Sequence, residues 1–179
     1  VLDLATGAVI RTINTGASSN NGLSGARTFD EDKDGDVDYV FAGDFNGNVW
    51  RFNLSSSNPA SWGFTRLFTA TDAGGTAQPI TGGITLGRDE DFNLWVFFGT
   101  GSYLTSGDPS SAAVQTWYGL QDSATTITGR AQLRQRKIVV TTTLSGVKVR
   151  AFEKAVAGDM VGRKGWYIDL VEPPNPPGT

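Results

Sequence analysis

The 179 residues are enough for one domain with a real core. Their 23 glycines, Thr/Val/Phe/Trp-rich runs and scant Ala/Leu/Glu/Lys periodicity point to an all-β chain. With no Cys and no His, the chain has no thiol chemistry, Ser-His catalysis, His- or Cys-built zinc site or disulfide. A net charge of -3 offers no general basic surface for nucleic acid, and no stretch is apolar enough for a transmembrane segment.

The first predicted element is the strand-like run VLDLATGAVI at 1–10, which starts at Val1 without a methionine or leader. Together with the ending EPPNPPGT, it suggests a piece of a longer protein. Next comes DEDKDGDVD at 30–38, with six acidic side chains and one lysine in nine positions. Its carboxylates Asp30, Asp32, Asp34 and Asp38 fall at loop positions 1, 3, 5 and 9, Gly35 at position 6, and Asp36 at position 7, where a backbone carbonyl would be offered. Ca²⁺ takes six to eight oxygens, and a short loop supplies them only by wrapping around the ion. Without a cation the inward carboxylates repel one another; with one, the same crowding becomes favourable. An EF-hand would need Glu at position 12 between helices, whereas Phe41 stands there between strand-like flanks. The prediction is therefore a calcium loop of EF-hand-like spacing between β-strands. Magnesium fits less well, since it prefers fewer carboxylates and more water, and the bland alternative is a solvated acidic turn.

The strand DYVFAG, the turn DFNGN and the strand VWRFNL predict a hairpin over 38–54, with a type I′ turn at Asn46-Gly47. A second apolar strand with a Gly-rich end, LWVFFGTGSY, follows at 94–103. Its GTG lacks the helix and lysine of a phosphate cradle and reads as a turn. The basic run RAQLRQRK at 130–137 reads as a solvated strand or loop more readily than as a contact for an acidic partner. Trp50, Trp95, Trp117 and Trp166 are expected to pack between blades rather than to stack on carbohydrate. Asp44, Asp108, Asp122 and Asp159 are expected to be turn residues, because no spacing pairs them as acid and base.

Four short segments look alike: VLDL, WRFNL, YGLQD and WYIDL. The intervals between them are 50, 68 and 48 residues, the middle one carrying an insertion. A period of roughly 50 residues with several short strands favours propeller blades over a β-sandwich. The expected architecture is a partial, modified β-propeller, about three to four blades of a larger one, with 1–179 forming part of a single domain.

The segments DKDGDVDYVFAGDFNGNVWRFNL, FTATDAGGTAQPITGG, VFFGTGSYL, QTWYGLQD and KGWYIDL, in that order, resemble the C-terminal β-propeller of the PilC/PilY-type proteins. These are type IV pilus tip adhesins and biogenesis factors of Gram-negative bacteria. The resemblance runs from about Gly25 to Leu170. It implies an exported, non-enzymatic protein at the cell surface or pilus tip, associated with the outer membrane. Its implied partners are pilus components (pilins and minor pilins) and host or abiotic surfaces. In the family this domain counteracts pilus retraction, and in some members a calcium loop of this spacing regulates it. The ligand positions carry over onto Asp30, Asp32, Asp34 and Asp38, with Asp36 giving its main-chain oxygen. Two departures stand out: Asn53 replaces a frequent Asp, and the chain stops before later blades of the expected domain. GRD at 87–89 is not an Arg-Gly-Asp tripeptide, so integrin binding is not implied. Two other functions remain open from the residues: a quinoprotein (PQQ) dehydrogenase propeller, whose ligands would converge from several blades, and a passive propeller scaffold.

Overall fold

The computed structural model describes residues 1–16 and 21–171. The proline-rich turn expected after WYIDL lies largely outside them. The chain folds as two blade-sized sheets and a hairpin. The first sheet is an antiparallel meander of β1 (Arg27–Phe29), β2 (Tyr39–Gly43), β3 (Asn48–Asn53) and β4 (Gly63–Thr69). The second begins as a meander of β5 (Thr85–Arg88), β6 (Leu94–Gly99) and β7 (Thr116–Gln121). The chain then departs through β8 (Arg134–Arg136) and the hairpin β9 (Ile138–Leu144)–β10 (Val147–Phe152). It returns as β11 (Gly165–Asp169), which pairs antiparallel with β7 and parallel with β8, giving the order β5-β6-β7-β11-β8. The sheets do not close into a ring, so this is a partial propeller.

The ~50-residue period predicts a blade for each repeat segment. YGLQD and WYIDL instead lie side by side as β7 and β11 of one sheet, and the residues between them form the inserted β8–β10 excursion. The described residues therefore make two blade-sized sheets and a hairpin, part of a larger propeller. Around Val1–Gly16 only an isolated bridge, Leu2 to Val9, is paired.

Period-2 alternation decides most of what each strand buries, and a bulge in β4 lets the adjacent Leu67 and Phe68 both enter the core. Phe41, Val49, Leu67 and Phe68 from the first sheet meet Val96, Phe98, Tyr118 and Leu120 from the second in one dry core. Tyr118 is its centre, its ring 5.3 Å from Phe68 and 5.1 Å from Phe98. Burying each of these large side chains contributes about 1.5–3 kcal/mol. The Tyr118 hydroxyl donates to the Thr71 carbonyl at 2.9 Å. Buried Gln78 donates to the Val114 carbonyl and to Thr116 Oγ1, at 2.7 and 2.9 Å. Arg51 pairs with Asp122 at 2.9 Å and ties β3 to the end of β7.

Trp50, Trp95, Trp117 and Trp166 lie on the sheet faces turned away from the core between the two sheets. Trp50 is buried on the outer face of the first sheet, with Ala42, Phe52 and Ile13. Trp95 and Trp117 fall opposite to Val96 and Tyr118 in the alternation, so they line the outer face of the second sheet, not the core. There Trp117 meets Trp166 edge-on at 5.8 Å, and Trp95 stacks on Phe97 at 6.1 Å. Gly119 makes room for Trp166: a Cβ there would lie 2.6 Å from the indole.

The hairpin predicted at 38–54 forms, but with a different turn. Gly47 alone of the two central residues has positive φ (+80°), and its N–H donates to the Asp44 carbonyl, as in a type I turn followed by a glycine bulge. The positive-φ pair of a type I′ turn occurs instead at Ser145-Gly146, joining β9 to β10. The basic run is mostly consumed internally: Arg130 pairs with Asp169, Arg136 with Asp159, and Arg134 approaches Glu153 at 3.9 Å. Among the described residues, no helix is long and apolar enough to cross a membrane.

Candidate metal site

The acidic loop is the connection between β1 and β2. Pairing of Phe29 with Tyr39, and the Asp38 N–H donating to the Phe29 carbonyl at 3.0 Å, bring the first and last loop positions together. Asp30 and Asp38 therefore face each other at the half-buried mouth of the loop. Between them the backbone reverses through Lys33 and Gly35, at φ +65° and +99°. A Cβ on Gly35 would meet nothing within 4 Å, so glycine is needed there for its conformation and not for space.

Carboxylates organise the turn. Asp30 accepts from the N–H groups of Lys33 and Gly35, at 2.6 and 3.0 Å. Asp32 accepts from Asp34 N–H at 3.1 Å, Asp34 from Asp36 N–H at 2.8 Å, and Asp38 from Glu31 N–H at 2.7 Å. One oxygen each of Asp30, Asp32 and Asp38 lies within 4.8 Å of the others. The structure thus gathers three of the four expected carboxylates; Asp34 and Asp36 are exposed and stand outside that group. Three oxygens so close, with no nitrogen or sulfur ligand beside them, suit a hard divalent cation.

Two features around the loop escaped the sequence reading. Glu31 is not one of the trio; its carboxylate accepts from Arg88 Nη2 at 2.9 Å, joining the acidic loop to the second sheet. Beyond Arg88, the turn Asp89–Asn93 repeats a unit found at Asp44–Asn48. In each, one aspartate accepts from the backbone and side-chain amides of the Asn four residues on and from the Trp indole six residues on, at 2.7 Å from Trp50 and 2.8 Å from Trp95. Donation from Trp95 and Asn93 holds the Asp89 carboxyl below the usual carboxylate range. The signal was present as D-x-x-x-N-x-W at 44–50 and 89–95, and as DED at both 30–32 and 89–91. Asp108, pulled down by the Thr105 and Leu104 N–H groups, organises its own loop, and Asp159 is lowered by Arg136.

The family model described as the PilY1 beta-propeller domain matches residues 1–146. The chain is similar to a type IV pilus biogenesis factor PilY1 homolog of Xylella fastidiosa, with 41% identity over 97% of this chain and 14% of that protein. It is similar to type IV pilus biogenesis factor PilY1 of Pseudomonas aeruginosa, with 35% identity over 70% of this chain and 13% of that protein. Among solved structures it matches the Pseudomonas aeruginosa PilY1 C-terminal domain at a TM-score of 0.80 and 27% identity, over 95% of this chain and 43% of that one. The chain therefore spans a small part of the curated relatives it matches.

Proposed function

The chain belongs to the PilY1 β-propeller family of type IV pilus biogenesis factors, and from that premise we propose that its β1–β2 loop binds Ca²⁺ and thereby regulates a pilus-associated protein. The observation that carries this is the convergence of Asp30, Asp32 and Asp38 within 4.8 Å on a hairpin loop. Asp34 and the Asp36 carbonyl complete the shell in this reading, Asp34 by turning in from its bond to the Asp36 N–H. The carboxylates all belong to one loop, which favours a self-contained ion site over a quinone centre shared between blades. Bound calcium neutralises the crowded carboxylates and orders the connection between two strands. Residues 1–179 form part of one propeller domain of an exported protein, acting non-enzymatically at the cell surface or pilus tip. Pilins, minor pilins and the surfaces that pili touch are its partners, and calcium tunes extension against retraction, with effects on twitching and adhesion.

Calorimetric titration of the chelator-stripped chain tests the site. One calcium per chain is expected, lost in Asp30→Ala/Asp38→Ala; a variant that binds as the wild type does would reject the loop. In cells, the same substitutions in the full-length protein should abolish piliation, and deletion of the retraction motor should restore it.

A further inference from the structure

Resting on that calcium reading, we infer that Glu31 and Arg88 form a latch through which occupancy of the β1–β2 loop reaches the outer aromatic face of the second sheet. The route is a continuous chain of contacts. Asp38 accepts from Glu31 N–H at 2.7 Å, so the trio holds the residue whose carboxylate takes Arg88 Nη2 at 2.9 Å. Arg88 Nη1 donates to the Phe92 carbonyl at 2.7 Å, inside the turn that Asp89 organises. Asp89 in turn accepts from the Trp95 indole at 2.8 Å. Arg88, Asp89, Trp95, Phe97 and Trp166 together line a shallow depression of about 170 Å³. The guanidinium also lies 5.1 Å over the Phe29 ring, at the root of the loop.

A ligand shifts an equilibrium only by what it binds differently in two states, and both states follow from the chemistry here. With a cation among the carboxylates, Asp38 stays closed on Glu31 N–H and Glu31 is presented to Arg88. Without it, repulsion opens the trio, Asp38 releases Glu31, and Arg88 is freed to move over the depression. Glu31 is spent on Arg88, so it acts as a positioning residue and not as a ligand.

The indole N–H resonances of the 179-residue chain report both ends. Calcium is expected to shift the Trp95 resonance, assigned by its loss in Trp95→Phe, with the same midpoint as the calorimetric isotherm. The Trp50 resonance, held by Asp44 on the first sheet, should stay still and certifies the fold in each variant. Arg88→Gln and, separately, Glu31→Gln should still bind one calcium, within about fivefold of the wild-type affinity because the pair is exposed, while the Trp95 shift disappears. A Trp95 shift that persists in both variants, or none in a wild type that binds calcium, overturns the latch and leaves the site standing. No calcium heat in the folded wild type overturns both.

Discussion

Gly35 and Gly47 share a left-handed backbone, at φ +99° and +80°, yet their surroundings differ completely. Gly35 faces open space, whereas a Cβ on Gly47 would lie 2.6 Å from the Gln78 carbonyl and 2.7 Å from that of Ala70. Backbone atoms cannot yield as a flexible side chain does. Gly35→Ala is thus expected to cost only the conformational penalty, about 1–2 kcal/mol, and Gly47→Ala more than about 3 kcal/mol, in denaturant unfolding. At Tyr118, burial pushes the phenol up to about 12 from its ordinary 10.0. The folded state thus keeps a proton that the unfolded chain gives up. The stability this contributes is full below pH 10 and is lost as pH rises toward about 12. Tyr118→Phe should flatten that alkaline limb of a pH–stability curve while lowering stability at neutral pH by about 1–2 kcal/mol.

The hairpin of β9 and β10 packs little of itself onto the rest of the chain: Val140, Leu144 and Val147 are exposed, and its two strands pair only with each other. Ile138 and Phe152 face one another across its base. Replacing 139–151 with Asn-Gly should therefore leave the thermal midpoint within a few degrees and near-UV dichroism intact; a collapse of either would show that the excursion supports β8 and β11. At this scale the sequence was legible where local chemistry dominates. Alternation and DFNGN announced the β2–β3 hairpin, and the spaced aspartates announced the loop. It was not legible where long-range pairing decides. Nothing local says that Gly165–Asp169 returns to lie beside Thr116–Gln121, nor that Arg130 and Arg136 meet Asp169 and Asp159. Likewise, Asp34 carries the right spacing for a ligand, but its carboxylate accepts from Asp36 N–H and stands outside the trio.

For the whole molecule, the two faces of the second sheet are energetically unlike. Phe98 lies in the core between the sheets, while Trp117 is 47% exposed on the outer face. Phe98→Ala is expected to cost about 3–5 kcal/mol, and Trp117→Ala less than about 1 kcal/mol, measured as denaturation midpoints at constant m. Equal costs would mean that the aromatic face supports the fold as strongly as the core.

The late return of β11 also sets a timetable. The first sheet uses one continuous stretch, Arg27–Thr69, so its partners are available as soon as that stretch is free to fold. The second sheet must hold the place beside β7 open until Gly165–Asp169 arrives, a long loop whose closure is entropically costly. In a chain that emerges from its N-terminal side, β11 would act as a bolt that slides home only after the stretch between it and β7 has emerged. Pulsed hydrogen exchange during refolding should then protect β2 and β3 amides before those of β11, and simultaneous protection would mean that the bolt and the door are built together.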